Sequence, residues 1–582
     1  MGSLTCLDKM LKEATNIQNG IHLISGVDEN LIKLEHRDVY NDILDIVKSG
    51  EYLGHAICIV GLRRTGKSTL LKQIHMNCKD FGFREDELLH ITLSGVSSGK
   101  NISRDTINSS KISRLNEIKF PSLKDVESFI IHQRESKHIK CILIDEITLC
   151  EDFILFGKGF LDSIVDSGVL LILAGTESVS FNLASENSLY SRLILKDISY
   201  IPFGEYCRLK RLPLLNIEEK RESFLKYIKH GNVLDNTINT GYEYLENALG
   251  INIALSILNA DLPEFVGCES NIKSLVEMII KYFRLLGEQV DTDKVKDAIS
   301  RANLSKAHRN INKRKVVNNQ DTIDLSKSNR KNIVIQAAEN MFNEFNLKFN
   351  VSEISLTIEQ LYVIDKLFVD MGIVYNLSSI PKIEDGNVEY MEDLNILHSF
   401  TYNFLESISN EILRNDLGLS DDEVYELANE VKSTVTGDII ENIIAIQFIK
   451  QLEKDEKLLT CLKRYQDISF TPERKCTKRK MYKYRKKIFE NGESVTAEID
   501  LVLNKQSSID LIEIKKSTKI TEEQTRWLRN NEVIEDIRNI ISKDKPINKY
   551  VYYLGDSKKV DDIEYLNIVD VLLEHYTRRC RR

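Results

Sequence analysis

Residues 55–75 read His-Ala-Ile-Cys-Ile-Val-Gly-Leu-Arg-Arg-Thr-Gly-Lys-Ser-Thr-Leu-Leu-Lys-Gln-Ile-His, and this stretch decides the fold of the N-terminal half. It begins with an apolar run, Ala56 to Val60, which is typical of a short buried strand. Residues 61–68 fit the pattern G-x-x-x-x-G-K-[ST], and an amphipathic helix is predicted to follow. Strand, glycine loop and helix in this order favour phosphate binding, because backbone N–H groups and the helix N-terminus surround the anion.

The loop residues have separate predicted roles at a nucleotide. Lys67 is expected to reach the β- and γ-phosphates, and Ser68 is expected to hold Mg²⁺. The alternative is a chance match within a loop, which the flanking strand and helix disfavour. The predicted nucleotide-binding residues of this stretch are Gly61, Arg63, Arg64, Thr65, Gly66, Lys67, Ser68 and Thr69.

A second apolar run, residues 139–146, ends in Asp145 and Glu146. It predicts a buried parallel strand that delivers both carboxylates to the sheet edge where α/β folds bind ligands. Asp145 is expected to hold Mg²⁺ and Glu146 to polarise the attacking water, which indicates an ATP hydrolase. The alternative is a strand with a solvated acidic end. A third buried strand is predicted to end in Thr176, which either senses the γ-phosphate or is a turn residue.

Bulk properties exclude several classes of protein. The chain has 582 residues, which is too long for one core, and its 42% hydrophobic content is that of a globular protein. A net charge of −9 argues against a general polyanion binder. The ten cysteines include no C-x-x-C pair, and no apolar run approaches 18 residues. We therefore expect a reduced, cytoplasmic protein without a zinc site or a membrane segment.

These motifs resemble those of prokaryotic AAA+-type ATPases that carry a fused C-terminal restriction-endonuclease-like domain. The matching pieces are the glycine loop, Asp145-Glu146, Gly175-Thr176, the Arg192 segment and Pro-Phe-Gly-Glu-Tyr at residues 202–206. The family usually has Pro where this chain has Leu62, and often Gly where it has Ser191. The resemblance implies that Arg192 is a charge-stabilising arginine, acting in its own chain or on a neighbour in a homo-oligomer. A structural salt bridge is the equal alternative.

Residue patterns and the resemblance together predict an α/β chain of four parts. Residues 1–206 are expected to hold N-terminal helices and a P-loop ATPase core with a parallel sheet, and residues 207–300 a helical lid. Residues 301–400 are expected to form a basic linker and a winged-helix-like region, and residues 401–582 a restriction-endonuclease-like α/β domain. The basic stretch Arg301 to Lys331 is either a solvated linker or a contact to a phosphate backbone.

Residues 497–516 carry a second set of candidate catalytic residues. Two alternating runs flank a polar turn, which is typical of a β-hairpin. If the turn is centred after Gln506, Asp500 lies opposite Glu513, and Lys515 points to the same face. Two carboxylates that close repel one another unless a divalent cation lies between them, and oxygen ligands favour Mg²⁺ or Mn²⁺.

This pattern is the D-x(n)-E-x-K core of restriction-endonuclease-like nucleases, in which a metal activates water and Lys515 positions it or stabilises the developing charge. Glu441 lies within an apolar helix and is expected to join Asp500 and Glu513 as a metal ligand, because a buried carboxylate needs a partner. The alternatives are an ordinary hairpin and a degenerate nuclease that still binds DNA.

Residues Arg474 to Lys487 hold nine basic residues in fourteen, with two tyrosines among them. Such a concentration predicts a nucleic-acid contact, and the alternative is a solvated strand edge. The sequence thus predicts ATP-gated, metal-dependent cleavage of nucleic acid, with DNA as the expected substrate. Resemblance alone adds an association with mobile elements or phage defence. Two other functions stay open: a nucleotide-dependent DNA-binding switch with a silent nuclease, and an ATPase that remodels or loads another protein.

Overall fold

The computed structural model describes residues 14–18, 20–24, 34–62, 64–97, 100–102, 119–150, 152–175, 192–234, 372–380, 391–396, 436–451, 481–490 and 493–581, with single positions between 250 and 279 and between 360 and 402. Several predicted features lie outside these residues. They are Arg63, Thr176, the basic stretch 301–331, residues 474–480 and most of the lid after residue 234.

The strands of the N-terminal half are β1 (Ala14–Gln18), β2 (Ile21–Ile24), β3 (Ala56–Val60), β4 (Leu88–Leu93), β5 (Gly95–Ser97), β6 (Lys100–Ile102), β7 (Cys141–Asp145), β8 (Leu170–Gly175) and β9 (Leu193–Asp197). Seven of them form one sheet in the order β1-β2-β4-β7-β8-β3-β9, and β5 pairs with β6. The five strands from β4 to β9 in this order run parallel, so their carboxyl ends meet at one edge. The predicted strand at the glycine loop and the predicted acidic strand are both confirmed.

Helices cover both faces of this sheet. They are α1 (Asp38–Ser49), α2 (Lys67–Met76), α3 (Leu123–Ser136), α4 (Phe153–Val165), α5 (Phe203–Lys210) and α6 (Ile217–His230). Ile43 of α1 and Leu71 of α2 pack on one face, and Ile130 of α3 and Leu161 of α4 pack on the other. The central strands are therefore buried on both sides, which is why they appear as continuous apolar runs.

The N-terminal segment contains strands as well as the predicted helix. β1 and β2 form an antiparallel hairpin that extends the sheet beyond β4. Gly20 makes the turn with a φ of +82°, and a Cβ at this position would lie 2.4 Å from the carbonyl oxygen of Ser94. Strands of four or five residues carry too little periodicity to be separated from an amphipathic helix in the sequence.

The C-terminal half is built on an eight-stranded mixed sheet in the order β11-β10-β12-β13-β14-β15-β17-β16. Its strands are β10 (Val374–Ile380), β11 (Met391–Asn395), β12 (Met481–Glu490), β13 (Glu493–Asn504), β14 (Ile509–Ile514), β15 (Ile547–Tyr553), β16 (Lys558–Val560) and β17 (Ile563–Asn567). The helices are α7 (436–451), α8 (Arg526–Arg529), α9 (Asn531–Ile541) and α10 (Ile568–Arg581). β10 and β11 come from the region predicted to be winged-helix-like, and strands from both sides of residue 401 share this sheet.

The two halves share one apolar core, which includes Phe203 of α5, Ile444 of α7, Ile512 of β14 and Val569 of α10. One contact between the halves is made where α10 meets α5. The ring of Tyr576 lies against Gly204, where an added Cβ would be 2.3 Å from Tyr576 Cδ1 and 2.8 Å from Tyr576 Cβ. Only a residue without a side chain lets α10 approach this closely.

Polar contacts surround this packing. The Tyr576 hydroxyl donates to Asp38 Oδ1 at 3.0 Å, and Arg208 Nε donates to the Tyr576 oxygen at 3.2 Å. Lys220 of α6 pairs with Asp570 of α10 at 2.7 Å. The C-terminal helix is therefore docked on the N-terminal half through both apolar and charged groups.

Gly204→Ala should loosen α10, because the new methyl group collides with Tyr576. Overpacking of this kind costs about 2 kcal/mol. Thermal unfolding and hydrogen exchange of residues 568–581 would measure the effect. Gly159→Ala is the matched control, since a Cβ at this exposed helical glycine meets nothing within 4 Å, and it should stabilise the protein by about 1 kcal/mol. Unchanged exchange of α10 in Gly204→Ala would contradict the docking described here.

Candidate functional sites

The glycine loop joins the carboxyl end of β3 to the N-terminus of α2. Gly61 is packed against the chain that follows β9, and a Cβ there would lie 3.0 Å from Ile198 Cγ1. Gly66 has a φ of +96°, which suits glycine, and it caps α2. Lys67 Nζ donates to the carbonyl oxygens of Gly61 at 2.9 Å and Leu62 at 2.8 Å. The ammonium group thus lies within the loop, at the end of α2 where a phosphate is stabilised.

Asp145 lies at the carboxyl end of β7, beside the start of α2. Burial, with a smaller contribution from Glu146, raises the pKa of Asp145 from its ordinary value of 3.8 to about 7, against a hydrogen bond to Ser68 and the charge of Lys67. Its Oδ1 accepts a hydrogen bond from the Glu146 N–H at 3.0 Å. Its Oδ2 is buried and has no hydrogen-bond partner within the described chain.

The donor set beside the loop fits a magnesium ion. The Ser68 hydroxyl and the Asp145 carboxylate offer hard oxygen ligands, and an unpartnered buried carboxylate oxygen is stabilised by a cation. Glu146 follows directly and has a φ of +59°, a left-handed conformation that is uncommon for a residue other than glycine. The structure therefore brings Lys67, Ser68, Asp145 and Glu146 to one edge of the sheet.

Arg37 contacts the glycine loop through its guanidinium group. Its Nε pairs with Glu205 Oε1 at 2.6 Å, and its Nη1 donates to the carbonyl oxygen of Thr65 in the loop. Its Nη2 donates to the carbonyl oxygen of Tyr200 at 3.3 Å. The buried carboxylate of Glu205 needs a cation beside it. The sequence contains 79 lysines and arginines, and no pattern in it identifies Arg37 as that cation.

Arg192 lies at the opposite end of β3 from the loop, where its carbonyl oxygen accepts from the Ala56 N–H at 2.8 Å. Its side chain pairs with Asp162 at 3.2 Å and Asp166 at 3.1 Å, and it donates to the carbonyl oxygen of Gly54 at 3.2 Å. These contacts link the C-terminal part of α4 to the start of β9. Within one chain they favour the structural salt bridge over a role at the γ-phosphate.

The C-terminal hairpin has the predicted register. Leu501 of β13 pairs with Ile512 of β14, and Leu503 pairs with Asp510, which places Asp500 beside Glu513. Lys515 Nζ lies 3.0 Å from Asp500 Oδ2 and 2.6 Å from Glu513 Oε2. The Ile514 N–H also donates to Asp500 Oδ2 at 2.6 Å.

Glu441 of α7 faces the same group of side chains. Burial, and then the charge of Asp500, raises the pKa of both Glu441 and Glu513 well above the ordinary value. Burial opposes the charged form of Lys515, but the neighbouring carboxylates outweigh it and raise its pKa. The structure therefore brings together all four residues predicted for the second site, which we call the acidic site (Glu441, Asp500, Glu513 and Lys515).

Lys483 and Glu498 extend the acidic site. Lys483 was predicted only as part of the basic stretch at nucleic acid, and Glu498 had no predicted role. Lys483 Nζ lies 2.8 Å from Glu498 Oε1 and 3.6 Å from Glu441 Oε2. The pairing of β12 with β13 shifts between Tyr482 and Tyr484, so that Lys483 lies opposite the part of β13 that carries Asp500. Such irregularities are common beside functional sites.

The donors of the acidic site are of the chemical type that Mg²⁺ and Mn²⁺ prefer. They are carboxylate oxygens, and Glu513 Oε1 is buried without a partner among the described atoms. In the part of the chain that the structure describes, no three acidic, histidine or cysteine side chains are already grouped closely enough to hold an ion. The ammonium of Lys515 lies between Asp500 and Glu513 instead.

The described part of the basic stretch forms the interior strand β12. Lys483 is turned toward the acidic site, and Lys486 pairs with Asp536 at 3.0 Å. Arg485 and Lys487 are exposed. Part of the positive charge that was expected at nucleic acid therefore balances acids within the protein.

Residues 54–207 match the family model described as an AAA domain. The match spans the glycine loop, the acidic strand and the segment containing Glu205. The N-terminal half of the chain thus contains an AAA domain, and its α/β fold has the mostly parallel sheet of AAA+ proteins. A P-loop ATPase of this kind hydrolyses nucleoside triphosphate and uses ATP with Mg²⁺. The C-terminal sheet lies outside the match.

No curated protein matches the chain. Among solved structures, it is similar to C. elegans PCH-2, with 14% identity, 45% of this chain and 76% of that chain covered, and a TM-score of 0.23. AMPPCP-bound DnaA from Aquifex aeolicus shows 12% identity, coverage of 74% and 95%, and a TM-score of 0.20. Aeropyrum pernix Orc1 in complex with DNA shows 12% identity, coverage of 66% and 93%, and a TM-score of 0.22.

Among the described helices, none combines the length and the apolar character needed to cross a bilayer.

Arg192→Ala should destabilise the protein by about 1 kcal/mol, because it breaks a partly exposed ion-pair network, while the rate of ATP hydrolysis changes less than threefold. Thermal unfolding and steady-state ATPase assays over a range of protein concentrations would measure both. Asp162→Asn combined with Asp166→Asn is the matched variant and should reproduce the stability loss. A fall in ATP hydrolysis of about 10³-fold would instead identify an arginine that acts on a neighbouring subunit.

Asp145→Asn should stabilise the metal-free protein at pH 8 by about 2 kcal/mol, because the amide avoids burying a charge. Since the folded pKa of Asp145 is raised to about 7, the wild-type protein gains stability as pH falls from 7 toward 4. The difference between the two proteins should therefore shrink over that range. Denaturant unfolding at several pH values would measure it, and a difference that is constant with pH would contradict the assignment.

Proposed function

We propose that the chain couples ATP hydrolysis in its AAA domain to metal-dependent cleavage of nucleic acid at the acidic site, with DNA as the substrate. The observation that carries this proposal is the convergence of Glu441, Asp500, Glu513 and Lys515 from one helix and two strands. Two buried carboxylates beside a partly buried carboxylate and a partly buried lysine are unfavourable for stability, and such arrangements are concentrated at functional sites.

The order of elements around the acidic site supports the same reading. Helix α7 is followed by the three consecutive strands β12, β13 and β14, then by α9 and β15. This is the αβββαβ order of the restriction-endonuclease-like nucleases that the sequence resembles.

The residues of the acidic site have distinct proposed roles. Asp500, Glu513 and Glu441 would hold Mg²⁺ or Mn²⁺, and the metal would supply an activated water and balance charge on the scissile phosphate. Lys515 is held by hydrogen bonds to both strand carboxylates. Because those carboxylates keep Lys515 protonated, it donates hydrogen bonds and stabilises negative charge rather than accepting a proton.

Contacts between the halves support a coupling to ATP. Asp38 accepts from Tyr576 of α10, and the Asp38 N–H donates to Glu205 Oε1 at 2.9 Å. Glu205 pairs with Arg37, which reaches the Thr65 carbonyl oxygen in the glycine loop. A chain of hydrogen bonds therefore joins the nucleotide loop to the last helix of the C-terminal half, so movement of the loop can shift α10.

Nucleic acid would approach along the exposed basic side chains of β12, Arg485 and Lys487. The stretches Arg474 to Lys480 and Arg301 to Lys331 stay predicted contacts. Assembly into a homo-oligomer and a role in mobile elements or phage defence stay inferences from the family resemblance.

A nucleotide-dependent DNA-binding switch with a silent nuclease is the second candidate. It is favoured by the two lysines of the acidic site, because Lys515 and Lys483 already neutralise their carboxylate neighbours without a metal.

Remodelling of a partner protein by the AAA domain is the third candidate. It predicts ATP hydrolysis that is stimulated by protein rather than by DNA.

Purified protein with Mg²⁺ or Mn²⁺ and ATP should nick supercoiled plasmid or cut single-stranded DNA, with single-stranded RNA as a parallel substrate. Asp500→Asn and Lys515→Met should lower the rate at least about 100-fold, because the metal ligand and the phosphate contact are lost. Lys67→Ala should abolish the stimulation of cleavage by ATP, so that the cleavage rates with and without ATP become equal. Gel assays with and without EDTA would measure each rate.

Asp510→Asn is the matched control, since this buried acid on β14 binds Lys505 and Asn548 away from the acidic site. Its rate should stay within about threefold of wild type. If no substrate is cut while ATP hydrolysis persists and DNA binding weakens with salt, the nuclease proposal is wrong and the switch is favoured.

A further inference from the structure

A row of buried polar side chains crosses three neighbouring strands beside the magnesium ligands. His22 of β2 pairs with Thr92 of β4, and Thr92 pairs with Asp145 of β7. Directly paired residues point to the same face of a sheet and have Cβ atoms about 5 Å apart. All three side chains have no exposed surface. They lie on the face covered by α2, since Asp145 meets Ser68 there.

Each member of this row has a polar atom without a hydrogen-bond partner among the described residues. The atoms are His22 Nδ1, Thr92 Oγ1 and Asp145 Oδ2. His90, two residues before Thr92 on the same face, adds an unpartnered Nε2. Leaving such a buried group unpaired is unfavourable, and water or an ion usually satisfies it. Several such atoms side by side point to a shared polar ligand.

The histidine is held firmly in this row. His22 Nε2 lies 2.6 Å from Ser94 Oγ and shares a hydrogen bond with it. The Ser94 N–H donates to the carbonyl oxygen of Gly20, which closes the hairpin against β4. Burial lowers the pKa of His22 to about 4, so the ring is neutral and its Nδ1 needs a hydrogen-bond partner.

We propose that the N-terminal hairpin is part of the nucleotide site: buried water molecules join His22 to Thr92 and Thr92 to Asp145, and so position the Asp145 carboxylate for Mg²⁺. His22 and Thr92 are positioning residues, since they touch neither nucleotide nor metal. The hairpin precedes residue 54, where the match to the AAA domain begins. This role does not depend on the acidic site or on cleavage of nucleic acid.

Thr92→Val removes the hydroxyl at constant volume, and His22→Phe removes both ring nitrogens. Each should weaken Mg²⁺ binding to the ATP-bound protein about tenfold, which is the usual effect of losing a group that orients a metal ligand. Binding of a fluorescent ATP analogue in EDTA should stay within about twofold of wild type. Titration of Mg²⁺ into the protein–analogue complex would measure the change.

Conservative variants separate positioning from packing. Thr92→Ser and His22→Gln retain polar atoms and should restore Mg²⁺ affinity to within about threefold of wild type. Thr525→Val is the matched control, a buried threonine in the C-terminal half, and it should leave Mg²⁺ affinity unchanged. Thermal unfolding of every variant would identify any that fail to fold. Mg²⁺ affinity is then compared only among the variants that do fold.

Unchanged Mg²⁺ affinity in folded Thr92→Val and His22→Phe would overturn the proposal. Equal losses of analogue binding with and without Mg²⁺ would also overturn it, because they indicate a purely structural row. A crystal structure of the complex with Mg²⁺ and a non-hydrolysable analogue should contain ordered water between His22, Thr92 and Asp145, and a dry row would contradict it.

Discussion

The buried ion pair between Arg37 and Glu205 is the interaction on which the arrangement of both halves depends. The guanidinium reaches the glycine loop at Thr65, and the carboxylate accepts from the backbone where α1 begins. Removing one partner of such a pair leaves an uncompensated buried charge, at a cost of about 3–5 kcal/mol. Since Glu205 lies on α5, the same pair also fixes the surface against which Tyr576 packs. This pair therefore links the glycine loop to α5, the helix against which the C-terminal helix packs.

Both candidate sites contain buried carboxylates, whose burial is unfavourable and would be stabilised by a bound cation. Among the described residues, Asp145 and Glu513 each have a buried carboxylate oxygen without a hydrogen-bond partner. The neighbouring cations differ, however. Lys67 donates to backbone carbonyl oxygens of its own loop. Lys515 bonds directly to two carboxylates, so its charge is already used within the protein. The match to the AAA domain covers the first site and not the second.

The predictions that succeeded depend on short-range patterns. The strand before Gly61, the strand ending in Asp145 and the hairpin register that places Asp500 beside Glu513 are each encoded within about twenty residues. Periodicity and turn chemistry suffice for such features because hydrogen-bonded neighbours are close in the chain. The sequence could also indicate that Arg192 had two alternative roles, but the choice between them depends on Asp162 and Asp166, which approach it only after folding.

The P-loop strand–loop–helix unit, the acidic strand and the composition of the acidic site follow from local sequence patterns. Folding is needed to select the distant groups that complete them, which are Arg37 at the loop, Lys483 at the acidic site and His22 in the polar row. Arg37 pairs with Glu205, Lys483 with Glu441 and His22 with Thr92, and the two residues of each pair are more than forty positions apart in the sequence. A buried polar or charged group is unfavourable unless a second polar or charged side chain pairs with it. That requirement arises only where folding brings two segments together and excludes water.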